Sequence, residues 1–126
     1  MIDLQEVEKY HNGLIDQFGG SKGLRDIAGL EAAIARPYMT FDQQELYPTA
    51  IEKAAAIFES LIINHPFMDG DKRIAYLLLR VTLREENISM VASQKEKYNM
   101  AIAASMGQIN FDQIKDWITR HSIKIQ

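Results

Sequence analysis

Residues 65–83 read HPFMDGDKRIAYLLLRVTL. Within this stretch, eight of the ten residues 74–83 are apolar. A helix that is apolar on nearly every side is buried by neighbours on several of them. A membrane span needs roughly 20 apolar residues, so this segment is too short for one. It predicts the central helix of an all-α domain. The start of the stretch breaks that pattern. Pro66 donates no backbone hydrogen bond and pushes His65 away from helical dihedrals, so the preceding helix stops there.

Helical spacing continues on both sides. Upstream, Ile51, Ala54, Ala55, Phe58, Leu61 and Ile62 predict a helix over 48–64, with Pro48 in its first turn. Leu4, Val7, Tyr10, Leu14, Ile15 and Phe18 predict one over 3–18, closed by Gly19-Gly20. Ile27, Leu30, Ala33 and Ile34 predict another over 26–35, closed by Pro37. Residues 38–46 have no helical period and suit a loop or short hairpin. Downstream, Asn87 ends the central helix and 88–92 is short and apolar. Helices follow over 94–107, with Tyr98, Ala101, Ile102 and Met106 inward, and from Phe111 through Ile114, Trp117 and Ile118. The expected architecture is a bundle of about six helices around a buried central one, with a short β-flap, in a single domain over 1–126.

Composition narrows the function. The 126 residues are 47% apolar and 25% charged, with 14 basic and 17 acidic side chains and a net charge of −3. Such a chain folds, and its length supports one core. The acidic balance argues against a dedicated nucleic-acid binder. Cysteine is absent, which excludes disulfides and thiolate metal sites and fits the cytoplasm. The opening MIDLQEVEKY has neither the basic start nor the apolar run of a signal peptide.

The nonapeptide 65–73 is where chemistry concentrates. It places one histidine, two carboxylates, a glycine and two cations between apolar helices. A helix N-terminus offers unpaired N–H groups and partial positive charge, an anion site that Gly70 lets a ligand approach. Lys72 and Arg73 are unfavourable there on dipole grounds, so an anion such as phosphate offsets them. Asp69 beside phosphates suits Mg²⁺, and His65 can accept a proton near neutral pH. The class is phosphoryl or nucleotidyl transfer. Asp71 also suits a helix N-cap. His11 and His121 are expected as surface or capping residues.

HPFMDGDKR resembles the Fic motif, H-P-F-x-[DE]-G-N-[GK]-R, at His65, Pro66, Phe67, Asp69, Gly70, Lys72 and Arg73. The run GGSKGLRDIAGLEAAIARP (19–37) resembles the Doc branch of the Fic/Doc family. The resemblance implies a Fic fold, with His65 as base for a target hydroxyl and Asp69 as the Mg²⁺ ligand. It implies an anion nest from Gly70 and Asp71, phosphate contacts from Lys72 and Arg73, and Phe67 as loop anchor. Residues 38–46 would be the flap that registers the target.

Asp71 stands where the motif has Asn, and a carboxylate there repels phosphate unless it points away or binds metal. Tyr76 stands where longer Fic motifs have Arg. With Lys72 in place of Gly, this fits the Doc branch, in which the γ-phosphate of ATP passes to a threonine of elongation factor Tu. AMP transfer is the alternative, and a non-catalytic binding module a third. Residues 82–87 (TLREEN) match an inhibitory Fic pattern, but Glu86 lies roughly 21 Å from Lys72 along a helix. Restraint is therefore expected from a separate antitoxin protein that holds any DNA contact.

Overall fold

The computed structural model describes residues 2–125. In chain order it has α1 (Leu4–Phe18), α2 (Ile27–Ala35), a 3₁₀ turn (Arg36–Tyr38), β1 (Thr40–Phe41), β2 (Gln44–Glu45) and α3 (Ala50–Asn64). Then come α4 (Asp71–Arg84), β3 (Ile88–Met90), α5 (Gln94–Ser105), α6 (Phe111–Arg120) and β4 (Ser122–Lys124). This is an all-α bundle, with two small antiparallel two-stranded sheets. None of its helices is long and apolar enough to cross a membrane.

The buried helix at its centre is α3, not α4. Residues 54–58 of α3 are all buried, followed by Ser60, Leu61 and Ile62. Three consecutive alanines let neighbours approach closely on every side, and α2, α4, α5 and α6 all pack on α3. On α4 the buried residues Ile74, Ala75, Leu78, Leu79, Thr82 and Leu83 form one face only. Tyr76, Leu77 and Val81 are half-buried, and Arg80 is exposed.

Helix starts follow capping chemistry. Asp3, Asp26, Thr49, Ser93 and Asn110 each accept a hydrogen bond from the N–H three residues on. Thr49 thus displaces the start of α3 from the expected Pro48 to Ala50. Pro37 lies inside the 3₁₀ turn that extends α2 instead of closing it. Helix α4 ends at Arg84, and Asn87 turns the chain at φ 59°.

The expected flap is β1–β2, paired Thr40 with Glu45 and Phe41 with Gln44. Asp42 and Gln43 both have positive φ, the tight-turn geometry of a two-residue hairpin. Arg36 anchors its base by donating to the Tyr47 hydroxyl at 3.0 Å and to Glu59 at 2.8 Å. Lys53 bridges Glu45 and the Tyr47 carbonyl. Beside the polar Asp42-Gln43 tip of this flap, Phe41 is 75% exposed. The second sheet was not foreseen: β3 pairs with β4, Ser89 opposite Ile123.

On α5 the inward residues are Met100, Ala101 and Ala104, while Tyr98 and Met106 lie outside. Glu96 closes the Ser93 capping box and meets His121 Nε2 at 3.0 Å. The His121 ring stacks on Trp117 at the end of α6, so it is the capping residue expected.

Phe58→Ala should destabilise the fold by about 3–5 kcal/mol in denaturant titrations, the range for truncating a buried aromatic. The Glu96 carboxyl is held below its ordinary 4.5, first by the Ser93 backbone N–H and then by His121. A lowered folded value adds stability above about pH 4.5, and that stability is lost as pH falls through the lowered value. Melting curves of wild type and Glu96→Gln should therefore converge on acidification.

Candidate active site

The 65–73 loop joins the two most extensively packed helices, α3 and α4. His65 caps α3 in the left-handed conformation, φ 46° and ψ 57°. A non-glycine residue there carries strain of order 1–3 kcal/mol, sustained only by its surroundings. Those surroundings come from the α1–α2 connection. Arg25 Nε donates to the His65 carbonyl at 2.9 Å and Arg25 Nη2 to the Asn64 carbonyl at 3.0 Å. The N–H groups of Arg25 and Asp26 both donate to the Pro66 carbonyl, and Met68 N–H donates to the Gly23 carbonyl.

Gly70 begins α4 at φ 79°. It brings no side chain to the helix end, so α4 alone of the six helices has no side-chain cap among the described residues. The first intrahelical bond runs from Ile74 N–H to the Gly70 carbonyl at 3.0 Å. The N–H groups of the first turn therefore remain for an anion.

Asp71 is the first residue of α4 rather than its N-cap. Its carboxylate turns back into the loop: Oδ1 accepts from Phe67 N–H at 3.1 Å, and Oδ2 stands 3.6 Å from His65 Nδ1. The charge that would repel phosphate thus faces the imidazole.

Asp69 is exposed, and its Oδ2 accepts from Ser21 N–H at 2.8 Å. Its other carboxylate oxygen has no partner among the described residues. No cluster of three or more His, Cys, Asp or Glu side chains there could cage a metal ion. A single carboxylate plus phosphate oxygens is the usual Mg²⁺ arrangement, and Asp69 fits it. Gly20, at φ 113°, makes room for this contact, since a Cβ there would stand 3.2 Å from Asp69 Cβ.

Phe67 is buried in the core as expected. Lys72 and Arg73 are exposed, and the Arg73 guanidinium lies 4.5 Å from the Phe18 ring centroid. Both line a cleft of about 420 Å³ between α1, α4 and α5, with Arg80 and Lys97 further along it. No carboxylate lines this cleft, and neither does His65. The Tyr76 hydroxyl in its wall is buried with no partner among the described residues. Burial pushes that phenol up, while Arg80 pulls it down.

His11 is the correction. It is 1% exposed, not a surface or capping residue. Its Nε2 lies 2.6 Å from the Asp69 carbonyl, and its ring stacks on Phe67 with centroids 3.8 Å apart. The signal was its place between Val7 and Ile15, four residues from each. That spacing defines the buried stripe of α1, whereas Tyr10 and Phe18 are exposed.

Residues 1–83 match the Fic/DOC family. The chain is 39% identical over 75 residues to Toxin Doc of Mycolicibacterium smegmatis (strain ATCC 700084 / mc(2)155), a match covering 60% of this chain. That match spans 58% of the relative's own length. It is 25% identical over 119 residues to Protein kinase doc of Escherichia phage P1, covering 94% of this chain and 93% of that one. Since the matched residues take in the whole 65–73 loop and both relatives carry the Doc name, the chain belongs to the Fic/DOC family, on its Doc branch.

Proposed function

We propose that this chain is a Doc-type toxin that transfers the γ-phosphate of ATP to a hydroxyl of a translation protein such as elongation factor Tu. The observation that carries this reading is the N-terminus of α4. It is uncapped, flanked by Lys72 and Arg73, and preceded by an imidazole whose Nδ1 faces a carboxylate. The name of the phage relative, a protein kinase, supports phosphotransfer over the alternative of AMP transfer.

In this reading His65 takes the proton of the target hydroxyl. The hydroxyl oxygen bonds to the γ-phosphorus, the bond from that phosphorus to the β–γ bridging oxygen breaks, and ADP leaves with the electron pair. Asp71 orients the ring through Nδ1, which leaves Nε2 for the hydroxyl. The main-chain N–H groups of Gly70 and Asp71 hold phosphate oxygens, as do the side chains of Lys72 and Arg73. Asp69 would hold Mg²⁺, which when bound would supply neutralisation of phosphate charge.

The flap edge would register the target chain by strand pairing. An antitoxin protein is the proposed restraint. The cleft lined by Lys72, Arg73, Arg80 and Lys97 suits an acidic amphipathic segment of it. The cytoplasm is the proposed location.

A translation extract incubated with the protein should take up label from γ-labelled ATP and none from α-labelled ATP. Retention of the α label would overturn phosphotransfer in favour of AMP transfer. His65→Ala should slow the labelling by about 10²–10⁴-fold, the usual contribution of a general base. Asp71→Asn removes a negative charge from the anion-binding end of α4. Nucleotide KM should fall by about 2–10-fold, while kcat also falls as His65 loses its charged neighbour.

A further inference from the structure

We infer that His11 is a positioning residue for the nucleotide site, acting through the Asp69–Gly70 peptide. This rests on the Mg²⁺-nucleotide reading above. The ring comes from the middle of α1, 58 residues away in sequence. It touches the loop at three motif positions. It stacks on Phe67 at an interplanar angle of 11°. Its Nε2–H donates to the Asp69 carbonyl, which can only accept. It also packs against Gly70, where a Cβ would stand 3.6 Å from Nε2.

A peptide unit is planar, so holding its carbonyl also holds its N–H, which points the opposite way. The carbonyl that His11 fixes shares its plane with the Gly70 N–H, the first donor of the uncapped α4 end. The other half of Asp69 is tethered as well, through the Ser21 N–H on its carboxylate. Asp69 is thus gripped by main chain and side chain from α1 and the segment following it. A buried histidine at this junction sets both the metal-ligating carboxylate and the first N–H of the nest. Residues that orient a metal ligand from behind commonly account for 10–100-fold in affinity.

Two variants separate positioning from packing. His11→Phe keeps a ring against Phe67 and removes the donor. His11→Gln carries its amide N–H to the same distance along the side chain and removes the ring. Mg²⁺-ATP affinity by titration calorimetry should fall about 10-fold or more in His11→Phe and stay within about 3-fold of wild type in His11→Gln. Amide hydrogen exchange at Gly70 and Asp71, measured without nucleotide, should speed up in His11→Phe and be restored in His11→Gln.

Wild-type affinity and exchange in His11→Phe would overturn the inference, as would losses in His11→Gln equal to those in His11→Phe. If wild type itself does not bind Mg²⁺-ATP, the nucleotide reading falls. The exchange data then still decide whether His11 holds the loop, with unchanged protection in His11→Phe counting against it.

Discussion

Helix α3 buries Ala54 through Phe58 without a break, so its central turns have no face left for water. Every other part of the molecule must be placed around it. Its C-terminal end is therefore fixed in space, and α4 must return against it after only six residues, 65–70. So short a connection cannot be built from extended backbone alone. His65 and Gly70, at its two ends, both take left-handed dihedrals. The backbone groups left between them are taken up by Arg25, Asp26 and Gly23 from the α1–α2 segment. The site is the seam where a buried helix pair and a surface connection meet.

What was legible in the sequence was what is local. Gly70, Lys72 and Arg73 announce a helix start with room for an anion because they are adjacent in the chain. Phe67 reads as an anchor for the same reason. His11 was overlooked despite its i±4 spacing from Val7 and Ile15, because its bonding partner Asp69 is 58 residues distant and its neighbour Tyr10 looks the better core residue. One residue is a 100° turn of a helix, and tertiary packing selected the stripe Val7, His11, Ile15. The density of apolar residues also pointed to the wrong centre. Tyr76 and Leu77 of α4 face a cleft, while small alanines gave α3 its close neighbours. The pairing of β3 with β4 joins strands more than thirty residues apart, for which the three-residue segments ISM and SIK carry no signal.

Charge is arranged on the same local scale. The chain as a whole is acidic, with a net charge of −3. Yet Lys72, Arg73, Arg80 and Lys97 share one cleft without a carboxylate among its lining. The acidic residues nearest the uncapped end of α4 are turned to other tasks. Asp71 meets the Phe67 N–H and the His65 ring, and one oxygen of Asp69 takes the Ser21 N–H. Positive potential at one helix end is compatible with an acidic protein because such fields fade within about 8–10 Å in salt.

The left-handed backbone at His65 sets stability against chemistry. Glycine would occupy φ 46° without the steric cost that an imidazole-bearing residue carries, a relief of about 1 kcal/mol. Selection for thermal robustness alone would therefore drift toward replacing the side chain proposed to accept the proton. On the proposed chemistry, a histidine at this dihedral marks a chain kept for what it does, and glycine or asparagine at the same place in another bundle of this shape would mark one kept for its fold.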